Sequence, residues 1–374
     1  VATAVPEAAR DRLDPAMPAV TATEFNWRQR MKTTPSLTRR SLLRSFSLLP
    51  AAGVASALPG LALAAAPEYS FKYGNNLPVS HPLNVRANEV AARIASESKG
   101  RMEIKVFPNN QLGGDTDMLA QVRSGGLEIF NPGTMVIATL APISAITAVG
   151  FAFSDYDQVW GAVDGKLGSS IRAAFAKVGL YTFDKMWDNG FRQITTSTKP
   201  VQAAADLEGM KIRVPVSPMG ISLFKSLSAS PTSLQFSEVY SALQTKVVDA
   251  QENPLAIVQT AKLFEVQKFC SLTNHSWDGY HIVVNGRAWR GLPDDLKTIV
   301  ARAFNDGALQ QREDLRQLNK NLQAELSAKG LAFNQAPSDS FRAALQKAGF
   351  YAEWKAKFGD EAWALLEATA GKVS

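Results

Sequence analysis

The chain of 374 residues contains one cysteine, three histidines and no apolar run that is long and free of helix breakers. A single cysteine, Cys270, excludes an intramolecular disulfide and any cysteine-based metal cluster, and it sits too far along the chain to anchor a lipid at a processed N-terminus. Its simplest role is that of a small buried apolar side chain. His81, His275 and His281 show no metal-ligand spacing, so neither a metal nor another cofactor is expected. Nucleophile-elbow and phosphate-loop motifs are missing too. Gly220-Ile221-Ser222 runs into Leu223-Phe224 where a second glycine would be needed, and Gly165-Lys166 lacks both the leading glycine and the hydroxyl residue of a nucleotide loop. Gly113-Gly114 and Gly125-Gly126 lack the dinucleotide-binding spacing. Every specific signature of an enzyme is absent, which argues for a binding protein.

A net charge of +6 and a pI near 9.3 suggest an anionic partner until the charge is placed along the chain. Residues 1–64 hold eight basic and four acidic side chains, so the body beyond them carries only two of the six net positive charges. Such a body has no basic stripe for nucleic acid. Thr38-Arg39-Arg40-Ser41-Leu42-Leu43-Arg44 fits a twin-arginine export signal. The uncharged stretch from Ser45 to Pro67 is broken by Pro50, Gly53, Pro59 and Gly60, and so reads as an export segment rather than a membrane span. Ala62-Leu63-Ala64 supplies a processing pattern, with cleavage expected before Ala65. Residues 31–64 are then a signal peptide, residues 1–30 a start-site extension, and the mature chain begins at residue 65 in the periplasm.

Beyond the signal, alternation at Tyr69–Tyr73, helical spacing over Asn84–Lys99 and alternation again at Met102–Phe107 define a parallel βαβ unit. The order recurs with a helix at Asp115–Ser124, an apolar strand at Leu127–Phe130, and strands at Gly190–Thr196 and Lys211–Val214. The fold class is therefore α/β. Pro293-Asp294-Asp295 starts a helix that persists to Lys329-Gly330, long enough to run along two domains. Two α/β domains around a ligand cleft follow, with residues 65–189 and 279–317 in the first and 190–278 and 318–374 in the second.

Two segments carry unusual arginines. In Asn189-Gly190-Phe191-Arg192-Gln193-Ile194, strand alternation places Arg192 on the face of Ile194. Arg213 closes the strand Lys211-Ile212-Arg213-Val214 just before Pro215. Strand ends at a cleft collect ligand contacts, and an arginine fork matches both oxygens of a carboxylate. On pattern alone a surface ion pair remains the simpler account of either arginine.

The sequence resembles the substrate-binding proteins of tripartite ATP-independent periplasmic (TRAP) transporters over residues 68–374. The markers are Gly113-Gly114-Asp115, Asn189-Gly190-Phe191-Arg192-Gln193, Lys211-Ile212-Arg213-Val214-Pro215, Phe236-Ser237-Glu238-Val239-Tyr240-Ser241-Ala242-Leu243-Gln244 and Val248-Asp249-Ala250-Gln251-Glu252-Asn253-Pro254. The resemblance implies a periplasmic-binding-protein-like fold whose two domains, joined by crossing strands and a long helix, close on a carboxylate. It implies that Arg213 forms the main salt bridge to that carboxylate, Arg192 is a second pocket arginine, Asn253 helps hold the same group, Phe236 is an aromatic wall and Asn76 a polar pocket residue. It further implies two partners, the small and large membrane subunits that use an ion gradient. Ala250 stands where the family commonly has glycine. The lack of an acidic residue near Asn131-Pro132-Gly133 argues against sialic acid. Trp187, Trp277 and Tyr280 fall in or near cleft segments and favour a hydroxy- or oxo-monocarboxylate with an apolar or aromatic tail; a C4-dicarboxylate or a sugar acid is the alternative.

Overall fold

The computed structural model describes residues 66–373. The expected signal peptide, the leading residues 1–30 and the processing point before Ala65 lie outside them. In chain order the strands are β1 (Tyr69–Gly74), β2 (Met102–Phe107), β3 (Ile129–Phe130), β4 (Leu180–Thr182), β5 (Trp187–Phe191), β6 (Gln193–Thr196) and β7 (Lys211–Val214). They continue as β8 (Ser230–Ser233), β9 (Ala250–Asn253), β10 (Phe269–Leu272), β11 (Trp277–Tyr280), β12 (Val283–Asn285) and β13 (Ala332–Gln335).

Two sheets form. The first has the order β2-β1-β3-β12-β4 and the second β13-β10-β6-β9-β7-β8. In the first, β2, β1 and β3 run parallel, as the strand-helix-strand order requires, and β12 lies antiparallel between β3 and β4. The helix Pro82–Glu97 that crosses from β1 to β2 begins at His81, whose Nδ1 accepts the Leu83 N–H at 3.2 Å, and buries Leu83, Ala87, Val90, Ala91 and Ile94 at helical spacing. The second sheet mixes both senses: β7 is parallel to β8 and β9, whereas β6 is antiparallel to β9 and β10.

Between the sheets lies a two-stranded antiparallel ribbon, β5 with β11. Its strands are the chain's passages from β4 to β6 and from β10 to β12, so it forms the expected crossing strands. The long helix spans Asp294–Ala328, 35 residues, or about 52 Å at 1.5 Å per residue. It is clamped to the ribbon by Gln311, which donates to the Asp188 carbonyl and accepts the Asp188 N–H, both at 2.8 Å. No helix among the described residues is long and apolar enough to cross a membrane.

Two sequence expectations change. The single strand over Gly190–Thr196 is two strands broken at Arg192, because Gly190 takes a φ of 121° beside Pro254 and the Arg192 side chain turns away to reach buried acids. The C-terminal helix Asp360–Ala370, expected with the second domain, packs instead on the helices Tyr156–Val163 and Lys166–Lys177, which continue the first sheet's layer.

Candidate ligand-binding site

A cavity of about 30 Å³ lies where strand ends from both sheets meet the ribbon. The first sheet contributes Asn76 and Leu77 after β1, Asp115 at the first turn of its helix, and Gly133, Met135 and Val136 after β3. The second contributes Arg213 and Pro215 at the end of β7, Phe236, Asn253 at the end of β9, and Ile257. From the ribbon come Asn189, Asp278 and Tyr280, and from the break between β5 and β6 comes Arg192. Such convergence at the carboxyl ends of strands is where open α/β sheets hold ligands. The space is about that of one water molecule, so an organic ligand enters only if the walls part.

Arg213 is 2% exposed. Its Nε and Nη2 both donate to the Leu234 carbonyl, at 3.0 and 2.8 Å, fixing the plane of the fork, and its guanidinium lies 6.0 Å from the Phe236 ring centre. Among the described residues no carboxylate lies within 4.0 Å of it. Burial holds its pKa down to about 10, while Glu252 and Asp115 act on it only from a distance. A buried cation lacking its own counter-ion is costly unless an anion arrives, and the Arg213 side chain lines the cavity.

Arg192, equally buried, is different. Its Nε and Nη2 grip the two carboxylate oxygens of Glu252, Nη2 also meets the Glu252 carbonyl at 2.7 Å and Asn253 Oδ1 at 3.1 Å, and Nη1 meets Asp278 Oδ2 at 2.9 Å. Burial alone would lower the Arg192 pKa; Glu252 and Asp278 more than offset it and leave it raised. Burial likewise opposes ionisation of Glu252, but Arg192 and His275 bring its pKa down to about 2. His275 itself is pushed down by burial and so is neutral, with Nε2 donating to Glu252 at 3.1 Å and Nδ1 accepting from Thr273 at 2.8 Å. Arg192 therefore borders the cavity as the centre of a neutralised network, not as a second free grip on a carboxylate.

Asp278 holds the walls together. Its Oδ1 accepts from the Thr134 N–H and hydroxyl at 3.0 and 2.6 Å, and its Oδ2 accepts from Arg192 and from Asn189 Nδ2 at 2.9 Å each. Asp115 accepts from Asn76 Nδ2 at 2.8 Å, and burial raises its pKa. Asn253 donates one amide hydrogen to Gln251 at 2.6 Å and lines the cavity.

Of the expected site residues, Arg213, Arg192, Asn253, Phe236, Asn76 and Tyr280 line the cavity. Trp187 and Trp277 do not. Trp187 is buried against Phe304 and Gly307 of the long helix, and Trp277 packs edge-on to Trp160 and donates its indole N–H to Asp188 at 3.0 Å. Trp277 lies on the strand face opposite Asp278; alternation would put Trp187 on the face of Asn189, and it is its packing on the long helix that takes it into the core. Asp115, Asn189 and Asp278 were not singled out as site residues. The available signal was a polar residue inside an aromatic strand, as in Trp187-Asp188-Asn189 and Trp277-Asp278-Gly279-Tyr280.

A small-ligand cavity between two α/β sheets joined by a crossing ribbon is the arrangement of a periplasmic solute-binding protein. Residues 73–355 match the model of the bacterial extracellular solute-binding proteins, family 7. The chain is 35% identical over 244 residues to the 2,3-diketo-L-gulonate-binding periplasmic protein of Escherichia coli, covering 65% of this chain and 74% of that one. It is similar to the TRAP solute-binding protein of Sulfurospirillum deleyianum with bound succinate (TM-score 0.76, 30% identity, 81% of this chain and 99% of that one). It is likewise similar to the sugar-acid-binding protein of Advenella mimigardefordensis in complex with galactonate (TM-score 0.78, 29% identity, 83% and 99%). The chain belongs to family 7, the solute-binding components of TRAP transporters. Members of this family are transport proteins that bind small carboxylates and sugar acids and work with membrane subunits.

Proposed function

We propose that this chain captures a hydroxy- or oxo-monocarboxylate with an apolar or aromatic tail in the periplasm and hands it to the small and large membrane subunits of an ion-gradient-driven transporter. What supports one carboxylate rather than two is the charge of the cavity. Arg213 is buried without a counter-ion, whereas Arg192 is already neutralised by Glu252 and Asp278. A second ligand carboxylate would face Asp115 and Asp278 with no cation to receive it. Arg213 would take the carboxylate in its fork, and Asn253 would add an amide hydrogen. The apolar part of the ligand would rest on Phe236, Met135 and Ile257. A sugar acid is the second reading, favoured by the acceptors at Asn76, Asp115 and Asn189, which suit hydroxyls.

The deciding experiment is calorimetric titration of the exported protein with a panel of organic acids, using the wild type, Arg213→Lys and Arg213→Ala. Lysine keeps the charge and loses the planar fork, so binding should weaken roughly ten- to a hundredfold. Alanine should weaken it further, and wild-type affinity in that variant would place the carboxylate elsewhere. Export through the twin-arginine route belongs to the same proposal. Replacing Arg39 and Arg40 together with lysine should retain the protein in the cytoplasm, and normal periplasmic recovery would refute that route.

A further inference from the structure

Asn189 occupies a position in the cavity wall that fixes its amide in one direction. Its Nδ2 donates at 2.9 Å to Asp278 Oδ2, a carboxylate oxygen that also pairs with Arg192 and therefore only accepts. The amide cannot be turned around, because its carbonyl oxygen would then face that carboxylate. Asn189 is 2% exposed, and its Oδ1 is buried without a hydrogen-bond partner among the described residues. A buried acceptor left unpaired is costly, and one in a cavity wall can be completed by a donor that enters the cavity.

We infer that Asn189 is a specificity-determining residue: its Oδ1 accepts a hydrogen bond from a hydroxyl of the bound monocarboxylate and so selects hydroxy acids over the oxo and deoxy acids of the same chain. The inference rests on the carboxylate reading above and narrows it. A hydroxyl supplies the proton that Oδ1 lacks. An oxo group sets a second acceptor against it, and a methylene leaves it desolvated and unpaired. Sites built to hydrogen-bond a hydroxyl reject analogues without one more strongly than apolar pockets reject a change of size. The acceptor is held before ligand arrives, since Asp278 is anchored by Thr134 and Arg192.

The test is calorimetric titration of the exported protein with propionate, butyrate and valerate, their monohydroxy derivatives at every carbon, and their 2-oxo acids. At one hydroxyl position or more, the wild type should bind the hydroxy acid about ten- to a hundredfold more tightly than the deoxy and oxo acids of the same chain. Asn189→Ala should reduce that preference to less than about threefold while still binding the deoxy acid. Because this change also takes a donor from Asp278, Thr134→Val serves as the control. It removes another donor from the same carboxylate and leaves Oδ1 in place, so the hydroxyl preference should persist. Equal binding of hydroxy and deoxy acids by the wild type overturns the inference, and so does a preference that survives in Asn189→Ala or vanishes equally in Thr134→Val. Should Asn189→Ala not fold, Asn189→Leu, which lacks Oδ1 and keeps the side-chain volume, replaces it under the same expectation. Absence of binding by every acid, or unchanged binding in Arg213→Ala, would instead refute the carboxylate reading.

Discussion

Arg192 and Glu252 form a doubly hydrogen-bonded ion pair that is almost wholly withdrawn from solvent, at 2% and 1% exposure, and this pair makes the two cavity arginines chemically unlike. One holds the fold and the other is free for a ligand.

Their substitution should therefore have opposite consequences for stability. Arg192→Ala leaves Glu252 and Asp278 buried without their cation, a loss of about 3–5 kcal/mol. Arg213→Ala removes a buried cation that has no carboxylate of its own, and stability should stay the same or rise. Urea unfolding followed by tryptophan fluorescence measures both. A larger loss in Arg213→Ala than in Arg192→Ala would mean that the two roles are exchanged.

The aromatic residues divide in the same way. Trp277→Phe loses the hydrogen bond to Asp188 and some packing on Trp160, so stability should fall by about 1–3 kcal/mol while ligand affinity holds within about threefold. Phe236→Ala should do the reverse, because Phe236 is half-buried at the cavity beside Arg213. Paired unfolding and titration data separate the two, and an affinity loss in Trp277→Phe as large as that in Phe236→Ala would return Trp277 to the ligand wall.

Local pattern carried much of the architecture. Met102–Phe107 and Asp115–Ser124 occupy the expected residues, and the long helix ends within one residue of Lys329, because periodicity and end signals act over a few neighbours. For Arg213 the local pattern gave only an arginine at a strand end before a proline, with a surface ion pair as the simpler account; the family resemblance pointed to the cavity that it lines. Arg192 was only half legible. Its partners lie 60 and 86 residues away, and nothing in its own strand announces that Glu252 and Asp278 will neutralise it. Asn189 and Asp278 escaped notice because each becomes meaningful only when β5 and β11 pair and turn the two side chains toward each other. Trp187 and Trp277 were misplaced because proximity in sequence to a cleft does not say what a side chain packs against: the distant long helix takes Trp187, and Trp160 and Asp188 take Trp277.

Asp188 supplies the last prediction. It is buried in the ribbon, where its carboxylate accepts from Trp277 Nε1 at 3.0 Å and from the Tyr156 hydroxyl, with Arg312 and Asp278 nearby. Burial is the dominant influence and raises its pKa from 3.8 to about 7; the hydrogen bonds from Tyr156 and Trp277 oppose the rise only in part. Between those two values the folded protein holds a proton that the unfolded chain has released. The stability this proton confers is complete below about pH 4 and is lost as the pH rises through 7. Asp188→Asn keeps an acceptor for the Trp277 indole and cannot ionise, so it should be free of this loss. Relative to the wild type, its unfolding free energy should climb by up to about 1.4 kcal/mol per pH unit from pH 4 toward pH 7, then run parallel above it. Urea unfolding at a series of pH values gives the difference directly. Parallel curves throughout would mean that Asp188 ionises in the folded protein as it does in the open chain, and that the ribbon is better hydrated than its packing with Trp277, Tyr156 and Gln311 implies.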